Sequence, residues 1–168
     1  MGKIGVFYGS TVGNTRFVAE KIAKLLPEAE VRSVKELDGT DIASYSVMVI
    51  GTSTWGIGSF QDDFFQFVAR LSNVDLSGIT VALFGLGDQF NYPDSFCDGM
   101  GLVYEILSGK GCKIVGEWPA GDYNFSESRA LKNGTMVGLA LDEDNEPDLT
   151  DYRIKTWVKS IKAELTQP

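Results

Sequence analysis

The sequence predicts an α/β fold in which a doubly wound parallel sheet carries helices on both faces. Three observations carry that reading. Continuous apolar runs, Val47-Met48-Val49-Ile50-Gly51 and Thr80 to Phe84, are what strands buried on both faces produce. Segments of helical apolar spacing separate most of these runs, which implies right-handed crossovers. The loops that leave the strands, 9–15, 52–58 and 85–92, hold the unusual residues, and in such folds a ligand sits off the carboxyl ends of the strands.

Taken in order, Ile4 to Tyr8 reads as a short buried strand, and Phe17 to Leu26 as a helix that stops before Pro27. Glu30 to Val34 alternates polar and apolar residues, as a strand nearer the sheet edge would. Val47 to Gly51 is a central strand, Asp62 to Leu71 a helix, Thr80 to Phe84 a strand, Asp94 to Ser108 a helix and Lys113 to Trp118 a strand. Pro119 to Gly134 is a polar excursion rich in turn residues, after which Val137 to Leu141 resumes an apolar strand. Thr150 to Leu165 closes the chain with Ile154, Trp157, Val158, Ile161 and Leu165 on one helical stripe.

Composition narrows the chemistry. The 168 residues suit one domain with a proper core, and 43% hydrophobic with 23% charged residues is ordinary for a globular chain. A net charge of −8 argues against nucleic acid or an anionic membrane surface as partner. No apolar run approaches the roughly 20 residues of a membrane span, and Met1-Gly2-Lys3 leads directly into a strand, so membrane insertion and a secretory signal are not expected. Histidine is absent, and Cys97 and Cys112 match no metal spacing, which removes zinc sites and histidine acid–base catalysis. The expected address is the cytoplasm, with both thiols reduced. Any chemistry must come from a cofactor.

Gly9-Ser10-Thr11-Val12-Gly13-Asn14-Thr15 joins the first strand to the first helix. Such a loop offers unpaired backbone N–H groups, the positive end of a helix dipole and three hydroxyls, a setting for an anion such as phosphate. It is not a Walker loop: three residues separate its glycines, and Asn14 follows the second where lysine is required. It lacks the Gly-x-Gly of a dinucleotide fingerprint as well. By itself the loop also reads as a plain helix cap. Trp55 in the second loop and Tyr92 in the third, with Asp88 nearby, add two aromatic walls for a flat ring. A phosphate at one end and a planar ring at the other describe a mononucleotide, with flavin mononucleotide (FMN) the best candidate.

These loops, with Thr54-Trp55-Gly56-Ile57-Gly58, Val81 to Gln89 and Val137 to Asn145, make the whole chain resemble a flavodoxin of the long-chain type, which splits its last strand with an inserted loop. The resemblance implies a flavodoxin-like five-stranded parallel sheet in the order 2-1-3-4-5 within one FMN-binding domain, 1–168, with 119–136 as the insertion. It implies that Ser10, Thr11, Val12, Gly13, Asn14 and Thr15 bind the FMN phosphate. Thr52, Ser53, Thr54, Trp55, Gly56 and Ile57 would line one side of the ring, with Trp55 on its inner face, and Tyr92 would stack on the outer face. Leu86, Gly87, Asp88 and the backbone at Cys97 and Asp98 would meet its polar edge, and Asp144 would approach the ribityl chain. Many long-chain members carry lysine where this chain has Asn14, which leaves the phosphate on neutral donors, with Arg16 close in sequence.

The resemblance also implies a function: a low-potential one-electron carrier that shuttles non-covalent FMN between semiquinone and hydroquinone and turns over no substrate of its own. The Gly56–Ile57 peptide would flip to offer its carbonyl to flavin N5, which glycine permits at little cost. Acidic residues near the ring should hold the second reduction below that of free FMN. Asp62, Asp63, Asp94, Asp142 and Glu143 would face basic docking surfaces on partners; the family's partners are NADP reductases, photosystem I and iron–sulfur enzymes. The expected state is a monomer. Two alternatives stand beside this reading: an FMN-dependent quinone-type reductase, and a non-flavin binding or signalling module of the same fold.

Overall fold

A computed structural model describes residues 2–9, 13–54 and 62–165, and the side chains of Asp62 and Asp63 are outside that description. Strands β1 (Ile4–Gly9), β2 (Glu30–Ser33), β3 (Val47–Ser53), β4 (Thr80–Leu86) and β5 (Lys113–Val115) pair in parallel in the order β2-β1-β3-β4-β5. The fifth position of the sheet is shared. β5 pairs with Thr80 to Ala82, and β9 (Leu139–Leu141) pairs in parallel with Phe84 to Leu86 further along the same strand. The last strand is thus split, as expected, and the chain between its halves forms a separate antiparallel sheet. That sheet consists of β6 (Trp118–Pro119), β7 (Leu131–Lys132) and β8 (Thr135–Met136).

Alternation along the central strands divides the core into two layers. Val6, Val49, Ala82 and Phe84 face α1 (Asn14–Lys24) and α5 (Thr150–Leu165), where Ile22, Trp157 and Ile161 are fully buried. Phe7, Met48, Ile50, Val81 and Leu83 face the other layer, with Ile42 of α2 (Gly39–Ala43), Phe64 and Phe67 of α3 (Asp62–Leu71) and Met100 and Val103 of α4 (Asp98–Leu107). The stripe read on the last helix is the buried one. Gly138 enters β9 so close to β4 that an added Cβ would lie 2.1 Å from the Leu83 carbonyl oxygen, so only glycine lets the split strand rejoin the sheet.

Several boundaries differ from the sequence reading. The first helix begins at Asn14 rather than Phe17, which places Asn14 and Thr15 in its first turn. β3 and β4 extend two residues further than the apolar runs, carrying Thr52, Ser53, Gly85 and Leu86 in strand pairing. The strand read as Lys113 to Trp118 ends at Val115, because Gly116 takes a left-handed φ of 90° and turns the chain out of the sheet. The helix read from Asp94 starts at Asp98: Cys97 is left-handed, with φ 54°, and 94–97 form turns. The strand read from Val137 begins at Leu139. The excursion at 119–134 is mostly loop and turn, but its ends pair as the small sheet. Between β2 and β3 lie a 3-10 turn (Val34–Glu36) and α2, neither of them read from the sequence. α2 carries a capping box in which Asp38 and Asp41 each accept the other's backbone N–H.

Candidate functional site

The carboxyl ends of β1, β3, β4 and β9 open onto one cavity of about 220 Å³. Asn14 and Thr15 enter it from the start of α1, Ser53 and Thr54 from the end of β3, Leu86, Gly87 and Asp88 from the end of β4, and Glu143 and Asp144 from the loop after β9. The three loops separated in sequence do converge, and every lining residue except Glu143 is among those assigned to the cofactor. Ser10, Thr11 and Val12 of the phosphate loop and Trp55, Gly56 and Ile57 of the ring loop lie outside the described residues, as does the peptide expected to flip.

At the α1 end the groups are neutral. Gly13 caps the helix with φ 88°, a left-handed turn, and its carbonyl accepts from the Phe17 N–H at 2.9 Å, so the earlier amides of the first turn have no helical acceptor. No acidic residue stands in that turn. The Thr15 hydroxyl is completely buried, lines the cavity and has no hydrogen-bond partner among the described residues. A buried hydroxyl without a partner costs about 1–3 kcal/mol unless a ligand completes it. Donors of this kind, with no acidic residue in the helix's own first turn, fit a phosphate. Arg16 does not supply the missing cation here, because its guanidinium pairs with Glu20 at 3.0 Å on the exposed face of the helix.

The opposite end is acidic. The Asp88 carboxylate accepts from the amides of Phe90 (3.1 Å) and Asn91 (2.9 Å), from Asn91 Nδ2 (2.8 Å) and from Asn145 Nδ2 (2.8 Å). Burial pushes its pKa up, but these bonds outweigh it and hold the group below the usual carboxylate range. Asp144 is shifted the other way. Burial is the main cause, and the neighbouring charges of Asp88, Asp142 and Glu143 push its pKa up further. Gly87 N–H donates to the Leu141 carbonyl at 3.0 Å, tying the β4 loop to the loop that carries Asp144.

The remaining assigned residues frame the cavity. Thr54 N–H reaches the Leu86 carbonyl at 3.3 Å and its hydroxyl accepts from Gly99 N–H at 3.0 Å, so the start of α4 is pinned to the end of β3. Thr52 is buried, with its hydroxyl donating to the Ser53 carbonyl. Tyr92 is 51% exposed, an accessible ring as a stacking role requires. The Cys97 thiol is completely buried against the Gly85 carbonyl, and burial pushes its pKa far up, so it is no nucleophile.

One of the acids read as partner-facing is placed otherwise. Asp142 is completely buried and accepts hydrogen bonds from Gln89 and Asn145, so it faces no partner. The Asp98 carboxylate turns to the inserted segment and accepts from Arg129 N–H at 2.8 Å, and burial raises its pKa. Asp94 and Asp144 are exposed and Glu143 half-exposed, and of these Glu143 and Asp144 line the cavity. Sequence reasoning missed Gln89, whose fully buried amide sits behind the cavity. Its place at the end of the Val81 to Gln89 run was the available signal.

A doubly wound sheet with an anion-accepting helix start and a cavity at its switch point defines a mononucleotide-binding protein of flavodoxin-like architecture. A family model described as Flavodoxin matches residues 6–157. The chain is 47% identical over 168 residues to the flavodoxin of Synechocystis sp., covering 98% of this chain and 99% of that one. It is 46% identical over 164 residues to a flavodoxin of Nostoc sp., covering 96% of each. The crystal structure of Fusobacterium nucleatum flavodoxin bound to flavin mononucleotide is similar with a TM-score of 0.92 and 33% identity, covering 98% of this chain and 99% of that one. The chain belongs to the flavodoxin family. Flavodoxins are electron-transfer proteins and not substrate-turnover enzymes. No helix among the described residues is long and apolar enough to cross a membrane.

Proposed function

We propose that this chain is a low-potential one-electron carrier that holds FMN non-covalently and passes electrons between redox proteins. The observation that carries it is the buried Thr15 hydroxyl at the start of α1, which has no partner among the described residues and is set in a cavity also lined by Asp88 and Asp144. FMN supplies the electron chemistry when bound. The chain's residues bind it and set the field around it.

In this reading the phosphate lies on the loop 10–15, with Ser10, Thr11, Val12, Gly13 and Asn14 beside Thr15. Thr52 to Ile57 line one side of the ring, Tyr92 covers the other, and Leu86, Gly87, Asp88 and the backbone at Cys97 and Asp98 meet its polar edge. Asp144 approaches the ribityl chain. Carboxylates at that end disfavour added negative charge in a partly desolvated site, so they lower the potential of the bound cofactor. The acids Asp94, Glu143 and Asp144 steer basic partners, and by family these are an NADP reductase, photosystem I or iron–sulfur enzymes. The protein acts as a cytoplasmic monomer built as one FMN-binding domain, 1–168, without a nucleic-acid partner.

Stepwise reduction of the FMN-loaded protein, followed by visible absorption, tests the reading. Two resolved one-electron steps, the second below that of free FMN, are the expected result. A single two-electron step, or no coloured complex after FMN is added, would overturn it.

A further inference from the structure

Behind the acidic end of the cavity lies a chain of buried polar groups, and Gln89 is its centre. Its side chain is completely buried, yet both donors of the amide and its carbonyl oxygen are engaged. Nε2 donates to Asp142 Oδ2 at 2.8 Å and to Glu146 Oε1 at 2.7 Å, and Oε1 accepts from the backbone N–H of Asn124 at 2.7 Å. Its own backbone N–H donates to Asp142 Oδ2 at 3.1 Å. One residue therefore ties together three separate segments: the β4 loop that carries Asp88, the loop after β9 and the inserted segment.

Both ends of this chain are anchored. Toward the cavity, Asn145 Nδ2 bridges Asp142 and Asp88, at 2.9 and 2.8 Å, so the carboxylate lining the cavity is bonded through Asn145 and Asp142 to Gln89. Away from it, Glu146 Oε1 takes the Arg153 guanidinium at 3.1 Å, and that guanidinium lies over the Tyr123 ring, 4.5 Å from its centroid. Tyr123 belongs to the inserted segment. Its hydroxyl accepts from Trp118 Nε1 at 2.9 Å and donates to the Ala140 carbonyl at 2.5 Å. The segment also clasps the rest of the β4 loop: Ser126 and Glu127 N–H both reach the Pro93 carbonyl, and the Phe125 ring stacks on Phe96 at 5.2 Å.

We propose that Gln89 is a positioning residue for the ring end of the cofactor site, and that through its bond to Asn124 the inserted segment is a structural part of that site. Asp88 and Tyr92 stand on either side of Gln89 in the same loop, and Tyr92 N–H bonds the Asp88 carbonyl at 3.0 Å, so a shift of the anchor displaces both. An amide fits this place because it offers two donors to two carboxylates and one acceptor to a backbone N–H. No other uncharged side chain of that length does. This inference rests on the FMN reading above.

The test compares FMN with riboflavin, which has the ring and lacks the phosphate, in the full-length protein. In Gln89→Met both dissociation constants should rise together by about tenfold or more, since several buried hydrogen bonds are lost at once. At saturating FMN the midpoint potential and the visible band of the bound flavin should shift, because Asp88 no longer holds its place; a role confined to general stability would leave both as in the parent protein. Asn124→Pro, which removes the inserted segment's donor and also fixes φ at 124, should give a smaller loss with the same FMN-to-riboflavin ratio, and it serves should Gln89→Met fail to fold. Riboflavin affinity within twofold of the parent in either folded variant would overturn the proposal, as would a loss confined to FMN. Failure of the parent protein to bind either flavin would instead sink the function reading itself.

Discussion

At the α1 end of the cavity the protein presents donors without charge: first-turn amides, the Thr15 hydroxyl and Asn14, with Arg16 drawn away to Glu20. At the β4 and β9 end it presents Asp88, Glu143 and Asp144, backed by buried Asp142. An anionic ligand laid across the two would be held at the first end and repelled at the second. Binding and redox tuning are then separable tasks, because they rest on different elements. The neutral end rests on one strand–helix junction. The acidic end rests on three chain segments joined by Gln89.

The most direct way to break this division is at Thr15. Thr15→Val keeps the shape and removes the hydroxyl. We expect about a tenfold to hundredfold weaker FMN dissociation constant, from the loss of a charge-assisted bond worth roughly 1.5–3 kcal/mol. Riboflavin affinity should be unchanged, and titration of flavin fluorescence reads both. Equal losses for the two flavins would mean that Thr15 does not serve the phosphate.

Thr15 also shows what was legible. The residues after each apolar strand could be assigned to one edge, because a parallel strand buried on both faces leaves a nearly uninterrupted apolar run, and the run's end marks where the sheet meets solvent. Hence Asn14, Thr54, Gly87 and Asp88 read as neighbours from the sequence, and all four line one cavity. The buried network was not legible in the same way. Asp142-Glu143-Asp144 reads as a solvated acidic run, yet Asp142 is completely buried, since its partner Gln89 lies 53 residues away and pairing of this kind has no period. The strands of the inserted sheet are two residues long, too short for alternation to register. α2 offered a signal that went unread, the Asp38 and Asp41 capping box.

At the acidic end, Asp144→Asn sharpens the comparison. Removing this charge should raise the lower potential of bound FMN by tens of millivolts, the scale of one partly screened charge, while changing FMN affinity much less than Thr15→Val does. The pH dependence has a definite sign. The Asp144 pKa is raised in the folded protein, so the folded state binds this proton more tightly than the unfolded chain does. Its ionised form therefore opposes folding above the raised value, and that opposition is relieved as pH falls through it. Asp88, held below the usual range, behaves oppositely: its stabilisation is present above the ordinary carboxylate pKa and is lost as pH falls through the lowered one. The difference in potential between parent and Asp144→Asn should accordingly shrink on acidification, as the parent's own carboxyl takes up its proton. A difference that persists unchanged down to pH values where carboxylates are protonated would place the effect in packing instead of charge.

The smallest expected effect comes from adding the cation that the neutral end lacks. Asn14→Lys puts an ammonium at the first turn of α1, where Asn14 lines the cavity. An exposed charge pair is worth only about 0.2–1 kcal/mol, and lysine at a helix N-terminus opposes the dipole, so FMN should tighten by no more than about fivefold at low salt. Because the gain is electrostatic and solvent-exposed, it should fade as ionic strength passes about 0.15 M, where the Debye length is roughly 8 Å. Riboflavin affinity and both potentials should stay where they are, since the added charge lies at the phosphate end. Isothermal titration at two salt concentrations decides the matter. A gain that survives high salt, or one that also moves the potentials, would show that the two ends are coupled and that the neutral junction also tunes the ring.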